Sequence, residues 1–216
     1  MKGTKKNNTT NRTLRIISRL KKEFPQARTA LVFSDPLQLL VSTILSAQCT
    51  DVRVNMVTPA LFAKYQHAKD FAIADRNELE DEIKSTGFYR MKTKHIIEAC
   101  TTIVDRFHSL VPQTMDELMS LPGVGRKTAN CILGGAFGIQ NGIVVDTHVI
   151  RLSNRLGLTK NESPEKIEQD LMKLVPKKEW YRFSNLLILH GRKTCKARKP
   201  LCEQCVLSDI CPSVSF

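Results

Sequence analysis

At 216 residues, 42% of them hydrophobic, the chain can bury one full core or two small ones and is too apolar to be disordered throughout. Its net charge of +12 is concentrated at the ends: residues 1–22 hold eight Lys and Arg with no acid, and residues 177–199 hold eight with a single acid. Charge placed in this way favours a polyanion as partner and puts both termini on one electropositive face.

The elements read as helix after helix. Leu14, Ile17, Leu20 and Phe24 recur at helical spacing over Thr13–Phe24, behind a polar tail, MKGTKKNNTTN. Asp35-Pro36 supplies an N-cap and a proline at the first helical position for a buried helix through LLVSTILSA. Thr50-Asp51 caps the next helix, to about Tyr65. A short helix near Glu78–Ser85 stops at Gly87, and another covers about Arg90–Phe107. Thr114 and Glu117 form a T-x-x-E capping box for a helix ending near Ser120. Helices follow at about 125–136, 147–156, 164–174 and 178–191, with Ser163-Pro164 as one start and Gly157 as one stop. Ile143-Val144-Val145 has strand character, but three residues alone make no sheet. The fold class is all-α. The charge map suggests two lobes, one from residues 29–139 and one from 1–28 with 140–216. No apolar run follows the N-terminal lysines, and Leu37–Ala47 is too short to span a bilayer. The expectation is a soluble, intracellular protein with no membrane partner.

One stretch carries unusual chemistry: LPGVGRKTAN, Leu121–Asn130. Pro122 fixes a φ angle, Gly123 and Gly125 permit values other residues resist, and Val124 is placed to pin the turn to a core. The helix that follows offers unpaired N–H groups and a positive dipole end to a phosphate, and Arg126 and Lys127 add charge. The plainer reading, a tight turn between packed helices, needs none of this; the neighbouring capping box and basic pair favour phosphate.

Cys195, Cys202, Cys205 and Cys211 give C-x6-C-x2-C-x5-C. Four thiolates so close can wrap one metal centre, and ligand chemistry alone leaves zinc and [4Fe–4S] both open. Between the first two lies KARKPL, which an anchored loop would present to phosphates through Lys196, Arg198 and Lys199. Cys49, Cys100 and Cys131 fall on apolar helical faces, where a buried thiol is the plainer reading.

Taken together, LPGVGRKTAN, VDTHV at 145–149, LSAQCTD at 45–51 and the cysteine tail resemble the endonuclease III family of DNA repair glycosylases, over nearly the whole chain from about Thr13 to Cys211. The resemblance implies a two-lobed helix-hairpin-helix glycosylase fold, with a six-helix barrel lobe that contains the hairpin at about 114–136 and an iron–sulfur lobe. It implies one [4Fe–4S] cluster per chain on the four cysteines, damaged double-stranded DNA as partner, a monomer, and a location with the DNA (cytoplasm or nucleoid in a prokaryote).

The resemblance also assigns roles. Lys127 is the amine nucleophile and Asp146 the carboxylate that assists it, for a glycosylase that also cleaves abasic sites. Only about one free lysine amine in a thousand is neutral near neutral pH, so a helix start and partial burial are expected to help. Asp146 also reads simply as the N-cap of its helix. Gln48 fills the gap left by an extruded nucleotide. Phe88 sits where the family often has an aliphatic wedge, against a plainer reading as core. Gly123, Val124, Gly125 and Arg126 grip phosphate. Ser46, Asp51 and His148 line the pocket, although Asp51 also reads as a cap. A monofunctional adenine-removing relative has Ser at the position of Lys127, an acid at that of Thr43 and a further C-terminal domain, where this chain ends five residues after Cys211. A non-enzymatic helix-hairpin-helix module or electron carrier would need no Lys127–Asp146 pair.

Overall fold

The computed structural model describes residues 2–214 along the backbone and 9–214 in their side chains. No β-strand occurs among the described residues. The chain forms two compact units, one of Thr29–Asn141 and one of Met1–Arg28 with Gly142–Phe216.

The first of these holds α2 (Pro36–Leu45), α3 (Asp51–Lys64), α4 (Ala68–Ala72), α5 (Arg76–Ile83), α6 (Tyr89–Arg106), α7 (Met115–Met119) and α8 (Arg126–Ala136), with a 3-10 turn at Lys84–Thr86. Its starts are set by local chemistry. Asp35, Thr50, Asp75 and Thr114 each accept, through the side chain, a backbone N–H three residues on. α6 is the hub, packed on α2, α4 and α5, and it buries Ile96, Ala99, Cys100 and Ile103. Leu39, Leu40, Phe71, Leu79, Leu118 and Ile132 complete this core.

The other unit joins α1 (Lys2–Glu23) to α9 (Thr147–Arg155), α10 (Pro164–Leu174) and α11 (Trp180–Lys193). α11 packs on α1 and α9 around Ile16, Leu20, Val149, Leu152, Leu171, Phe183 and Leu187. Ile143 and Val145 are buried in this core as irregular chain rather than strand.

Several elements differ from the sequence reading. α1 begins at Lys2, not Thr13, because apolar periodicity reports only the packed part of a helix, while propagation costs little once a nucleus exists. Leu14, expected on the packed face, is 43% exposed. α4 was missed: one turn has no period to detect. Its signal was chemical, since the Asp70 carboxylate accepts the His67 and Gln66 N–H groups. The Thr114–Glu117 capping box is half formed. Thr114 Oγ1 takes the Glu117 N–H at 3.3 Å but donates its own proton to the Glu117 carboxylate at 2.6 Å. No helix among the described residues is long and apolar enough to cross a membrane.

Candidate functional site

The glycine hairpin joins α7 to α8. The Val124 N–H bonds Leu121 O at 3.1 Å, and the Val124 side chain is 6% exposed in the core, so the turn is pinned as expected. Gly123 has φ +77°, and a Cβ there would lie 2.8 Å from three atoms of the His95 side chain on α6. Gly125, the N-cap of α8, has φ −91° with nothing within 4 Å of a would-be Cβ. The two glycines therefore serve different ends. Gly123→Ala should cost about 2 kcal/mol from a left-handed alanine plus the clash, lowering Tm by roughly 4–8 °C, while Gly125→Ala, which only exchanges one N-cap for a poorer one, should lower it by no more than about 2 °C. Thermal unfolding of the two variants side by side checks this.

α8 has no side-chain cap, so its first-turn N–H groups are presented at the hairpin beside the exposed Gly123, Gly125 and Arg126. Lys127 is its second residue and is exposed, not partly buried as the sequence reading expected. The apolar face of α8 is carried by Ala129, Ile132 and Leu133, and position 127 faces away from it.

The same unit presents two tips. Gln48 lies in the turn after α2 with φ +53° and is exposed. Phe88, before α6, has φ +49° and is 66% exposed, which removes the core alternative. Ser46 is half-buried and spends its hydroxyl on Thr43 O at 2.8 Å. Asp51 is not the N-cap of α3: Thr50 is, and Asp51 is the first helical residue. Cys49 lies in the turn rather than on a helical face. Cys100 is buried on α6, which pushes its thiol up to about 12, and Cys131 is half-buried on α8. Beneath the tips, Lys92 is 3% exposed; its ammonium donates to Leu45 O at 2.7 Å and Thr86 O at 2.9 Å, and burial pulls its pKa down.

In the other unit, Asp146 caps α9, accepting the Val149 N–H at 2.8 Å. His148 is half-buried. Its Nδ1 lies 3.2 Å from Arg151 Nη2, and Gly191 is adjacent: a Cβ at 191 would come within 2.9 Å of that nitrogen. Burial holds the His148 pKa down, with Arg151 and Arg192 opposing the upward pull of Asp146.

Cys195, Cys202, Cys205 and Cys211 line one cavity of about 270 Å³, closed by Leu152, Leu156, Leu201 and Leu207. This is far more room than one ion needs. Among the described residues no three His, Cys, Asp or Glu side chains converge on a single metal position. Four thiols ringing a cavity suit a multi-iron cluster better than one zinc. Sulfur-directed donors are already in place, with Arg155 Nη1 and the Leu207 N–H each 3.4 Å from Cys195 and Cys205 respectively. Burial and the neighbouring thiols push Cys205 and Cys211 up, a balance that bound iron reverses. The residues fit a cluster.

The KARKPL loop is exposed at Lys196, Arg198 and Lys199, and Lys199 has φ +53°. Its shape is held by arginines that the sequence reading missed. Arg155 donates to Lys196 O at 2.8 Å and Ala197 O at 2.9 Å, and Arg151 to Cys195 O at 3.1 Å and Gly191 O at 3.2 Å. Arg12, away from that loop, ties the end of α9 to α1 through Gly157 O at 3.1 Å and Leu156 O. The available signal was the i,i+4 spacing of Arg151 and Arg155, which puts both on one face of α9.

Residues 41–177 match the model of the HhH-GPD superfamily base excision DNA repair protein, and 195–211 match the iron-sulfur binding domain of endonuclease III. The chain is 57% identical over 202 residues to endonuclease III of Synechocystis sp., covering 94% of this chain and 92% of that one. It is 46% identical over 189 residues to endonuclease III of Bacillus subtilis, with 87% and 86% covered. A solved non-covalent endonuclease III–DNA complex superposes with TM-score 0.89 at 42% identity, covering 94% and 95%. A trapped endonuclease III–DNA covalent intermediate does so with the same score and identity, covering 94% and 96%. The cofactor is a [4Fe–4S] cluster. The chain belongs to the endonuclease III family, DNA glycosylases with abasic-site lyase activity that work in base excision repair.

Proposed function

We propose that the protein removes oxidised or ring-saturated pyrimidines from double-stranded DNA and nicks the abasic site 3′ to the sugar, acting as a monomer. The lesion nucleotide must leave the stack before its C1′ is accessible. Gln48 enters the vacated space and Phe88 wedges into the duplex beside it. Lys127 Nζ, as the neutral amine, attacks C1′ and the base departs, taking a proton. The carboxylate of Asp146 offsets the positive charge that grows on the sugar. The ring opens to a Schiff base. Loss of a C2′ proton then drives β-elimination of the 3′ phosphate, which breaks the strand.

Lys127 is exposed on the first turn of α8, within reach of a bound nucleotide rather than packed in the core. Gly123, Val124, Gly125 and Arg126 grip the backbone through the uncapped start of α8. Ser46, Asp51 and His148 shape the pocket. Cys195, Cys202, Cys205 and Cys211 hold the [4Fe–4S] cluster, which when bound supplies a rigid hub for the 195–211 loop.

The observation that carries this reading is the place of Lys127, exposed on the first turn of α8 directly beyond the hairpin. The relative trapped covalently on DNA supports a nucleophile in this fold. Borohydride added to cluster-loaded protein on a duplex containing thymine glycol should give a covalent adduct; its absence sinks the lyase mechanism. The loop makes a separate prediction. Replacing Lys196, Arg198 and Lys199 with Gln should weaken binding to damaged and undamaged duplex alike and lower the salt slope by about 2–3. An unchanged slope in a salt titration would show that the loop does not face phosphate.

A further inference from the structure

The insertion tips share one buried anchor. Leu45 is the last residue of α2, three positions before Gln48, and Thr86 ends the 3-10 turn, two positions before Phe88. Both carbonyls belong to helix C-termini, which lack intrahelical donors and carry the negative end of a dipole. Lys92 Nζ serves both, at 2.7 Å and 2.9 Å, from a position 3% exposed. The Lys92 backbone N–H also bonds Phe88 O at 3.1 Å, so one residue grips the wedge segment twice. A cation in the first turn of its own helix is unfavourably placed towards that helix. The two carbonyls compensate for this and for the burial. Within three residues of each clamped carbonyl the backbone takes a rare course: Gln48 at φ +53°, Gly87 at φ +71° and Phe88 at φ +49°.

We propose that Lys92 is a positioning residue for nucleotide extrusion, a buried ammonium that sets the spacing between the Gln48 and Phe88 tips. This rests on the insertion roles given above to those two residues. A side chain that only stabilised the core would lower Tm and leave extrusion intact in the folded protein. A clamp predicts a selective defect, because both tips stay present but are no longer held at one separation when they meet the duplex.

The test uses cluster-loaded protein and a thymine glycol duplex with 2-aminopurine beside the lesion, whose fluorescence rises when its neighbour unstacks. Gln48→Ala and Phe88→Ala should each reduce the amplitude or rate. Lys92→Met, assayed well below its own Tm, should reduce extrusion by about tenfold or more, while affinity for undamaged duplex stays within about threefold of the parent. Lys92→Arg, which keeps the donors, should recover part of the signal. If Lys92→Met does not fold, Lys92→Gln is judged by the same criteria. Loss in the tip variants with parental extrusion in the folded Lys92 variant overturns the clamp alone. Parental extrusion in both tip variants overturns the insertion reading and the clamp with it.

Discussion

Lys127→Gln should abolish the borohydride adduct and lower strand cleavage at an abasic site by at least about 10³-fold, with duplex affinity little changed. The size follows from what the residue supplies. Without an amine no Schiff base forms, and a Schiff base is what acidifies the C2′ proton enough for β-elimination. Glutamine keeps length and polarity but offers no nucleophilic lone pair. Stability should hold, because Lys127 is exposed and the buried residues of α8 are elsewhere. Arg126 and the uncapped N–H groups remain to bind phosphate. A gel assay with borohydride, a cleavage time course and a binding isotherm on one preparation separate these claims. Parental cleavage by the variant would remove Lys127 from the mechanism; loss of binding in equal measure would make it a phosphate ligand instead.

How much of this could be read without coordinates depended on whether the physics was local. Asp35, Thr50, Thr114, Asp146 and Ser163 were legible as helix starts because a cap needs only its own side chain and an N–H three residues on. The hairpin was legible because glycine is what a tight turn selects, although only Gly123, at φ +77° against His95, has no ready substitute. The four cysteines were legible from spacing. Lys92 was not. In the run YRMKTKH it looks like any lysine of a solvated helix face, and only the tertiary structure brings Leu45 O and Thr86 O over its ammonium. Arg151 and Arg155 were missed for the same reason: their acceptors are backbone carbonyls some forty residues away, and carbonyls leave no trace in sequence. The exposure of Lys127 also lay beyond sequence, because the first turn of a helix has faces of both kinds. Local chemistry thus made Lys127 plausible and the family resemblance gave it the role proposed above, while long-range packing decides how the surrounding segments are held.

Asp146 allows catalysis and folding to be separated at one position. The carboxylate caps α9 through the Val149 N–H at 2.8 Å, and the same charge is proposed to balance the sugar cation. Asparagine caps a helix about as well as aspartate, so Asp146→Asn should leave stability within about 0.5 kcal/mol of the parent. It removes the negative charge, and losing one preorganised electrostatic partner of a charged transition state costs about 10²–10³ in rate. Alanine removes both roles. Asp146→Ala should match the asparagine variant in activity but lose a further ~1 kcal/mol of stability, a fall of about 2–4 °C in Tm. Single-turnover base excision and thermal unfolding on the three proteins give two independent columns. Equal unfolding temperatures in Asn and Ala variants would contradict the cap. A parental excision rate in the well-folded asparagine variant would leave Asp146 as a cap alone and require the sugar charge to be balanced by another group.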